Sequence, residues 1–263
     1  MRHHRPGRVR EAPGGRRHVA RSGVASLTPP GPGLSRPLSL AVVGRAAVVF
    51  LDVGGVMYDD RVYAEALKRA LRELGADFTD DEFAEEYAAC RRAQEGSFRK
   101  RLTLAFLGPG SDPKEVERRA SAHWAYPPGS LLTDVVPCLE RLVADGYRIG
   151  VIANQPSAVR KAMRRDGIEG FFEHWGVSED LGIEKPDPRL FSHAITQVGV
   201  KPSTAVMVGD RLDYDIRPAK AVGMRTVWVL RGEAPDDPTP EQLAEPDAAV
   251  RTLDELPEVL ERL

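Results

Sequence analysis

Four short runs constrain this chain more than any other feature: VVFL from Val48, RIGVIA from Arg148, TAVMVG from Thr204 and RTVWVL from Arg225. Each is almost continuously apolar and rich in β-branched residues, and segments with helical apolar spacing lie between them. A strand that is apolar on both faces has no side to give to solvent, so both faces must be covered. Such strands, alternating with amphipathic helices, predict an α/β fold with a doubly wound parallel sheet. A weaker strand is expected near residues 175–178, and DAAVRTLDELPEVLERL adds a last strand and a C-terminal helix.

Between the first and second strands the pattern is helical throughout. RVYAEALKRALREL (61–74) places Val62, Ala66, Leu67, Leu71 and Leu74 on one face. TDDEFAEEYAACRRAQ opens on Thr79, a good N-cap, with acids in its first turn. FRKRLTLAFLG and DPKEVERRASAHWAY read as two further helices, and Trp124 and Tyr126 are expected to pack the returning chain. The expected organisation is an all-helical cap, 59–131, inserted after the first strand of an α/β core formed by 45–58 and 132–263. Residues 1–44 are rich in Arg, Pro and Gly without periodicity and read as a disordered basic tail.

Charge and composition limit the partners. Residues 1–45 hold nine Arg, no Lys and one Glu, a formal charge of +8, whereas the remainder has 28 basic and 38 acidic side chains, −10. An acidic body argues against nucleic acid as a partner. The apolar stretch 38–51 is interrupted by Arg45 and closed by Asp52, so no membrane span is expected. The two cysteines, Cys90 and Cys138, show no metal-ligand spacing and suit a reducing, cytoplasmic setting.

In a doubly wound sheet, ligands bind beyond the carboxyl ends of the strands, where strand order reverses. Beyond the first strand stand Asp52, Gly54 and Gly55; beyond the second, Ala153, Asn154 and Gln155. The loop before the fourth helix carries Glu184-Lys185-Pro186, and the fourth strand leads into Asp210, Asp213 and Asp215. Two Asp at neighbouring strand ends suit one Mg²⁺ with oxygen ligands. A metal and a lysine neutralise phosphate charge that would repel an attacking carboxylate, so an Asp becomes a competent nucleophile. Glycines after it let backbone N–H groups approach phosphate oxygens.

VVFLDVGGVMYD, GVIAN, LGIEKPDPRLF and VMVGDRLDYDI resemble, in order and spacing, the four motifs of the haloacid dehalogenase superfamily. The resemblance spans about 46–263 and includes the helical cap of the dehalogenase and small-phosphatase branch. It implies a Mg²⁺-dependent phosphatase acting on a small phosphorylated metabolite through an aspartyl-phosphate. Asp52 matches the nucleophile and a metal ligand, Lys185 the lysine bridging nucleophile and phosphate, and Asp210 the metal-binding acid. Asp215 fits the second acid of the fourth motif, ahead of Asp213, and Gly54 supplies a metal-binding carbonyl. Gly55 and Asn154 are expected beside the phosphate.

Two positions depart from that pattern. Gly54 stands where these phosphatases carry an acid/base Asp, and Ala153 where they carry Ser or Thr. The first loss removes proton-transfer help of roughly 10²–10⁴-fold; the second removes one hydrogen bond, roughly 1.5–3 kcal/mol. Asp59 and Asp60, at the entry to the cap, are the acids nearest in sequence, with Asp60 expected to cap the first helix. A binding protein without turnover and a metal-independent 2-haloacid dehalogenase are the competing readings. RRAQEGSFRKR (91–101) offers Arg91, Arg99 or Lys100 to an anionic substrate, against the alternative of solvated helix faces.

Overall fold

The computed structural model describes residues 46–263. The basic segment 1–44 expected to be disordered lies outside the described residues. Six strands, β1 (Val48–Leu51), β2 (Arg148–Ala153), β3 (His174–Val177), β4 (Ala205–Gly209), β5 (Arg225–Val229) and β6 (Ala248–Val250), form one parallel sheet in the order β3-β2-β1-β4-β5-β6. Side chains alternate across a strand, and β1 shows the consequence. Val49 and Leu51 enter one apolar layer, with Leu139, Met163, Leu256 and Leu260, while Val48 and Phe50 enter the other, with Leu190, Phe191, Ala194 and Ile195. Both faces are therefore covered, as continuous apolar strands require.

The placement of the site follows from strand register. Leu51 lies opposite Val151 on one side and Val208 on the other. The ends of β1 and β4 are thus level, and Asp52 donates its N–H to Val208 O at 2.9 Å. The chain leaves β1 with β2 on one side and β4 on the other, which makes this edge the point of reversal.

Four helices lie between β1 and the next core helix: α1 (Arg61–Glu73), α2 (Asp80–Ala93), α3 (Phe98–Leu107) and α4 (Pro113–Ser121). They share their own apolar cluster, including Leu67, Leu71, Phe83, Leu102 and Val116. Thr79 and Glu82 form a reciprocal capping box at the start of α2, and Ser97 and Asp112 accept from the first turns of α3 and α4. The two chain crossings between this helical unit and the core stay together because Tyr58 stacks on Tyr126, with ring centroids 4.4 Å apart.

The helices α5 (Val135–Ala144), α6 (Val159–Arg165), α7 (Ser178–Leu181), α8 (Pro188–Val198), α9 (Arg217–Ala221), α10 (Pro240–Leu243) and α11 (Leu256–Leu260) complete the core. A single π-helical turn, Leu212–Ile216, precedes α9. α6 begins after Ala158, and the Ser157 hydroxyl donates to Asp180 Oδ1 at 2.5 Å. Asp60 precedes α1 without a side-chain capping bond; the Asp59 carboxylate takes the Arg61 N–H at 3.0 Å and the Arg61 guanidinium as well. Among the described residues no helix is long and apolar enough to cross a membrane.

Candidate active site

The acids at the ends of β1 and β4 converge on one lysine. Lys185 Nζ lies 2.8 Å from Asp52 Oδ1 and 2.7 Å from Asp215 Oδ1, and all three residues are buried. Asp215 is carried inward by the π-helical turn, and its Oδ2 accepts the Arg211 N–H at 3.0 Å. Turns of this kind widen the backbone locally and recur at functional sites. Asp210 adds a third carboxylate: the ligating oxygens of Asp52, Asp210 and Asp215 all lie within 4.8 Å of one another.

Asp210 is held from the loop after β5. Its Oδ2 accepts the Glu233 N–H at 2.6 Å, and its carbonyl accepts Trp228 Nε1–H at 2.8 Å. Gly55 packs directly against this carboxylate. It has φ +67°, and a Cβ there would collide with Asp210 Oδ2 and come within 3.0 Å of the Gly232 Cα. Glycine is required at this position for close approach as well as for its backbone angle. Its N–H, expected to face phosphate, is spent on Tyr58 O at 2.9 Å.

Asn154 also has other work. Its Oδ1 accepts the Lys185 N–H at 2.7 Å and its Nδ2 donates to Lys185 O at 2.9 Å. The side chain expected beside the phosphate thus clamps the backbone of the lysine loop. Ala153 is fully buried among apolar neighbours at the end of β2.

Gly54 shows what the missing side chain leaves room for. A Cβ placed there would strike Asp60 Oδ1 and sit 3.2 Å from the Tyr126 hydroxyl. The Asp60 carboxylate therefore fills the space that a side chain at 54 would take. Gln155 Nε2 donates to the same Tyr126 hydroxyl at 3.2 Å.

The electrostatics follow from burial and crowding. Burial raises the Asp52 pKa to about 6, with Lys185 pulling it down and Asp215 pushing it up. Asp210 is held well above the carboxylate range by burial and by Asp60, Asp215 and Asp52. Asp60 is raised by burial and by Glu233, Asp52 and Asp59, against the pull of Lys185. Burial opposes the Lys185 charge, but Asp215 and Asp52 outweigh it and keep its pKa above the ordinary lysine value. Four carboxyl groups against one ammonium make a corner that favours an added cation. An all-oxygen donor set fits a hard divalent ion such as Mg²⁺.

A cleft of about 570 Å³ opens beside this corner, between the helical unit and the core, lined among others by Gly55, Asp60, Lys68, Phe83 and Tyr87. Its size suits a small ligand. Of the basic residues expected to face it, Arg91 binds Ala234 O at 2.8 Å and Asp236 at 2.7 Å, and Arg99 pairs with Glu117 at 2.7 Å. Lys100 is exposed. Arg231 and Gly232, which line the cleft, and Glu233, whose N–H holds Asp210, were not expected from the motifs. They stand just beyond β5, so the strand-end rule applied there would have found them.

A family model described as haloacid dehalogenase-like hydrolase matches residues 46–223. A glyceraldehyde 3-phosphate phosphatase of Methanopyrus kandleri is 33% identical over 72% of this chain and 85% of its own. A crystal structure of a HAD phosphatase from Thermococcus onnurineus is 26% identical, covers 81% of this chain and 97% of its own, and superposes with a TM-score of 0.53. A 2-haloacid dehalogenase from Pseudomonas syringae is 28% identical over 82% of this chain and 99% of its own, also with a TM-score of 0.53. With matched sequence running through β1, the helical unit and the β4 corner, the chain belongs to the haloacid dehalogenase-like hydrolases.

Proposed function

We propose that this protein is a Mg²⁺-dependent phosphatase that cleaves a small phosphate monoester through an aspartyl-phosphate on Asp52. One observation carries the reading: Asp52, Asp210 and Asp215 present oxygens within 4.8 Å of one another, with Lys185 as their close basic partner. That excess of buried acid has a physical use when a divalent cation and a phosphate share the corner. The M. kandleri relative, a phosphatase of a three-carbon sugar phosphate, supports the reaction class.

Asp52 and Asp210, with the Gly54 carbonyl, would hold the metal, and Asp215 adjoins it. The bound ion supplies charge neutralisation for the phosphoryl oxygens. Asp52 Oδ attacks phosphorus while Lys185, already 2.8 Å from that carboxylate, balances negative charge on the transferring group. Asp215 keeps the ammonium aimed at Asp52, and Asn154 holds the lysine backbone from both sides. The cleft of about 570 Å³ suits a small ester.

The acid-rich corner disfavours the dehalogenase reading, in which Asp52 attacks carbon without a metal. A binding protein without turnover draws on Gly54 and Ala153. Hydrolysis of 4-nitrophenyl phosphate, measured with Mg²⁺ and after chelation, separates the three. The phosphatase reading expects turnover that chelator abolishes and Mg²⁺ restores. Binding of the ester without phosphate release would support the binding protein, and halide release from a 2-haloacid in chelator would support the dehalogenase.

A further inference from the structure

We propose that Asp60 replaces the carboxylate that Gly54 lacks and serves as the proton donor and acceptor of the reaction. The inference rests on the phosphatase reading above and names a residue for a step that reading leaves unserved. The geometry is specific. Asp60 Oδ1 lies 2.4 Å from where a Cβ on Gly54 would stand, so the two side chains exclude one another. The carboxylate arrives from six positions further along the chain. The segment after β1 folds back on itself, with Gly54 bridged to Tyr58 and Tyr58 bridged to Leu131, and this places residue 60 over residue 54.

Three further observations assign Asp60 to the site. It makes no capping bond to α1, and Asp59 has taken the Arg61 N–H in its stead. It lines the cleft between the helical unit and the core, together with Gly55. The Tyr126 hydroxyl, itself tied to Gln155, lies against the same spot and provides a polar neighbour.

Asp52 Oδ forms a bond to phosphorus as the bond from phosphorus to the ester oxygen breaks, and the Asp60 carboxyl proton passes to that leaving oxygen. Water then attacks the phosphorus of the aspartyl-phosphate and gives a proton to the Asp60 carboxylate. The phosphorus–Asp52 bond breaks, releasing phosphate and restoring both residues.

The test exploits leaving-group chemistry. Nitrophenolate departs readily without a proton, whereas the more basic phenolate needs one. In the Asp60→Asn variant, kcat/KM, which reports phosphoryl transfer to Asp52 and not the later hydrolysis common to both esters, is expected to fall by about 10²-fold or more on phenyl phosphate, and by less than about tenfold on 4-nitrophenyl phosphate. The ratio is read within one preparation, so a change in folded fraction cancels. Gly54→Asp combined with Asp60→Ala has the space for a carboxylate from position 54, and it is expected to recover the ratio that Asp60→Ala alone loses. A ratio unchanged from wild type in Asp60→Asn, with Asp52→Asn inactive on both esters, overturns the assignment of Asp60 and leaves the phosphatase reading standing. Wild-type turnover no greater than that of Asp52→Asn overturns both.

Discussion

Lys185 is the residue on which the site's charge balance turns. It is 3% exposed and contacts two buried carboxylates. Lys185→Met keeps most of the side-chain volume and removes the ammonium. Breaking a buried ion pair from one side typically costs about 3–5 kcal/mol because the other charge is left uncompensated. Urea unfolding at neutral pH should therefore show a loss of that order, together with loss of ester hydrolysis. A variant as stable as wild type would mean that Asp52 and Asp215 do not depend on this lysine. At this scale the sequence was most informative for side chains that stand where their strand leaves them: Asp52 and Asp210 come together as the strand-end rule expects. It was least informative for Asp60, whose position depends on a backfolded loop and on the hole above a glycine. Asn154 and Gly55 stand at the expected corner, but neighbours that only the fold supplies have taken their polar groups.

At the scale of elements, β3 carries a built-in pH dependence. His174 packs edge-on against Phe50 with ring centroids 5.8 Å apart, and its Nε2 has no hydrogen-bond partner. Burial, reinforced by His193, depresses the imidazole pKa from 6.5 to about 4. Above pH 6.5 the ring is neutral in both folded and unfolded chains and contributes nothing. Between 6.5 and 4 the unfolded chain binds a proton that the folded one refuses, so stability falls as pH falls through this window. Denaturant unfolding at pH 7 and pH 5 should show a smaller acid-induced loss for His174→Gln than for wild type; equal losses would rule out His174 as a contributor. The strands themselves were legible because apolar continuity over four to six residues leaves few alternatives. The π-helical turn that buries Asp215 was not, since its wider hydrogen bonding, Ile216 N–H to Arg211 O at 3.2 Å, has no side-chain signature.

Across the whole molecule, the helical unit is tied to the core beside the site. Gln94, buried with φ +49°, donates to Glu233 O at 2.7 Å and accepts from Leu212 N–H at 2.9 Å. Arg211 reaches back to Gly96 O at 2.7 Å and lies over the Phe98 ring. The basic run 91–101 thus contributes Arg91 to this fastening, a use that its charge pattern alone does not distinguish from substrate binding. Glu233 joins the two functions, since its N–H holds Asp210 while its carbonyl anchors Gln94. On the reading proposed above, this shared corner transfers phosphate by way of Asp52. The most direct measurement compares wild type with Asp52→Asn for Mg²⁺-dependent release of phosphate from 4-nitrophenyl phosphate. The substitution removes the attacking oxygen and keeps the side chain's size. Turnover is expected in wild type and none above background in the variant; phosphate release by Asp52→Asn at the wild-type rate would rule out Asp52 as the nucleophile.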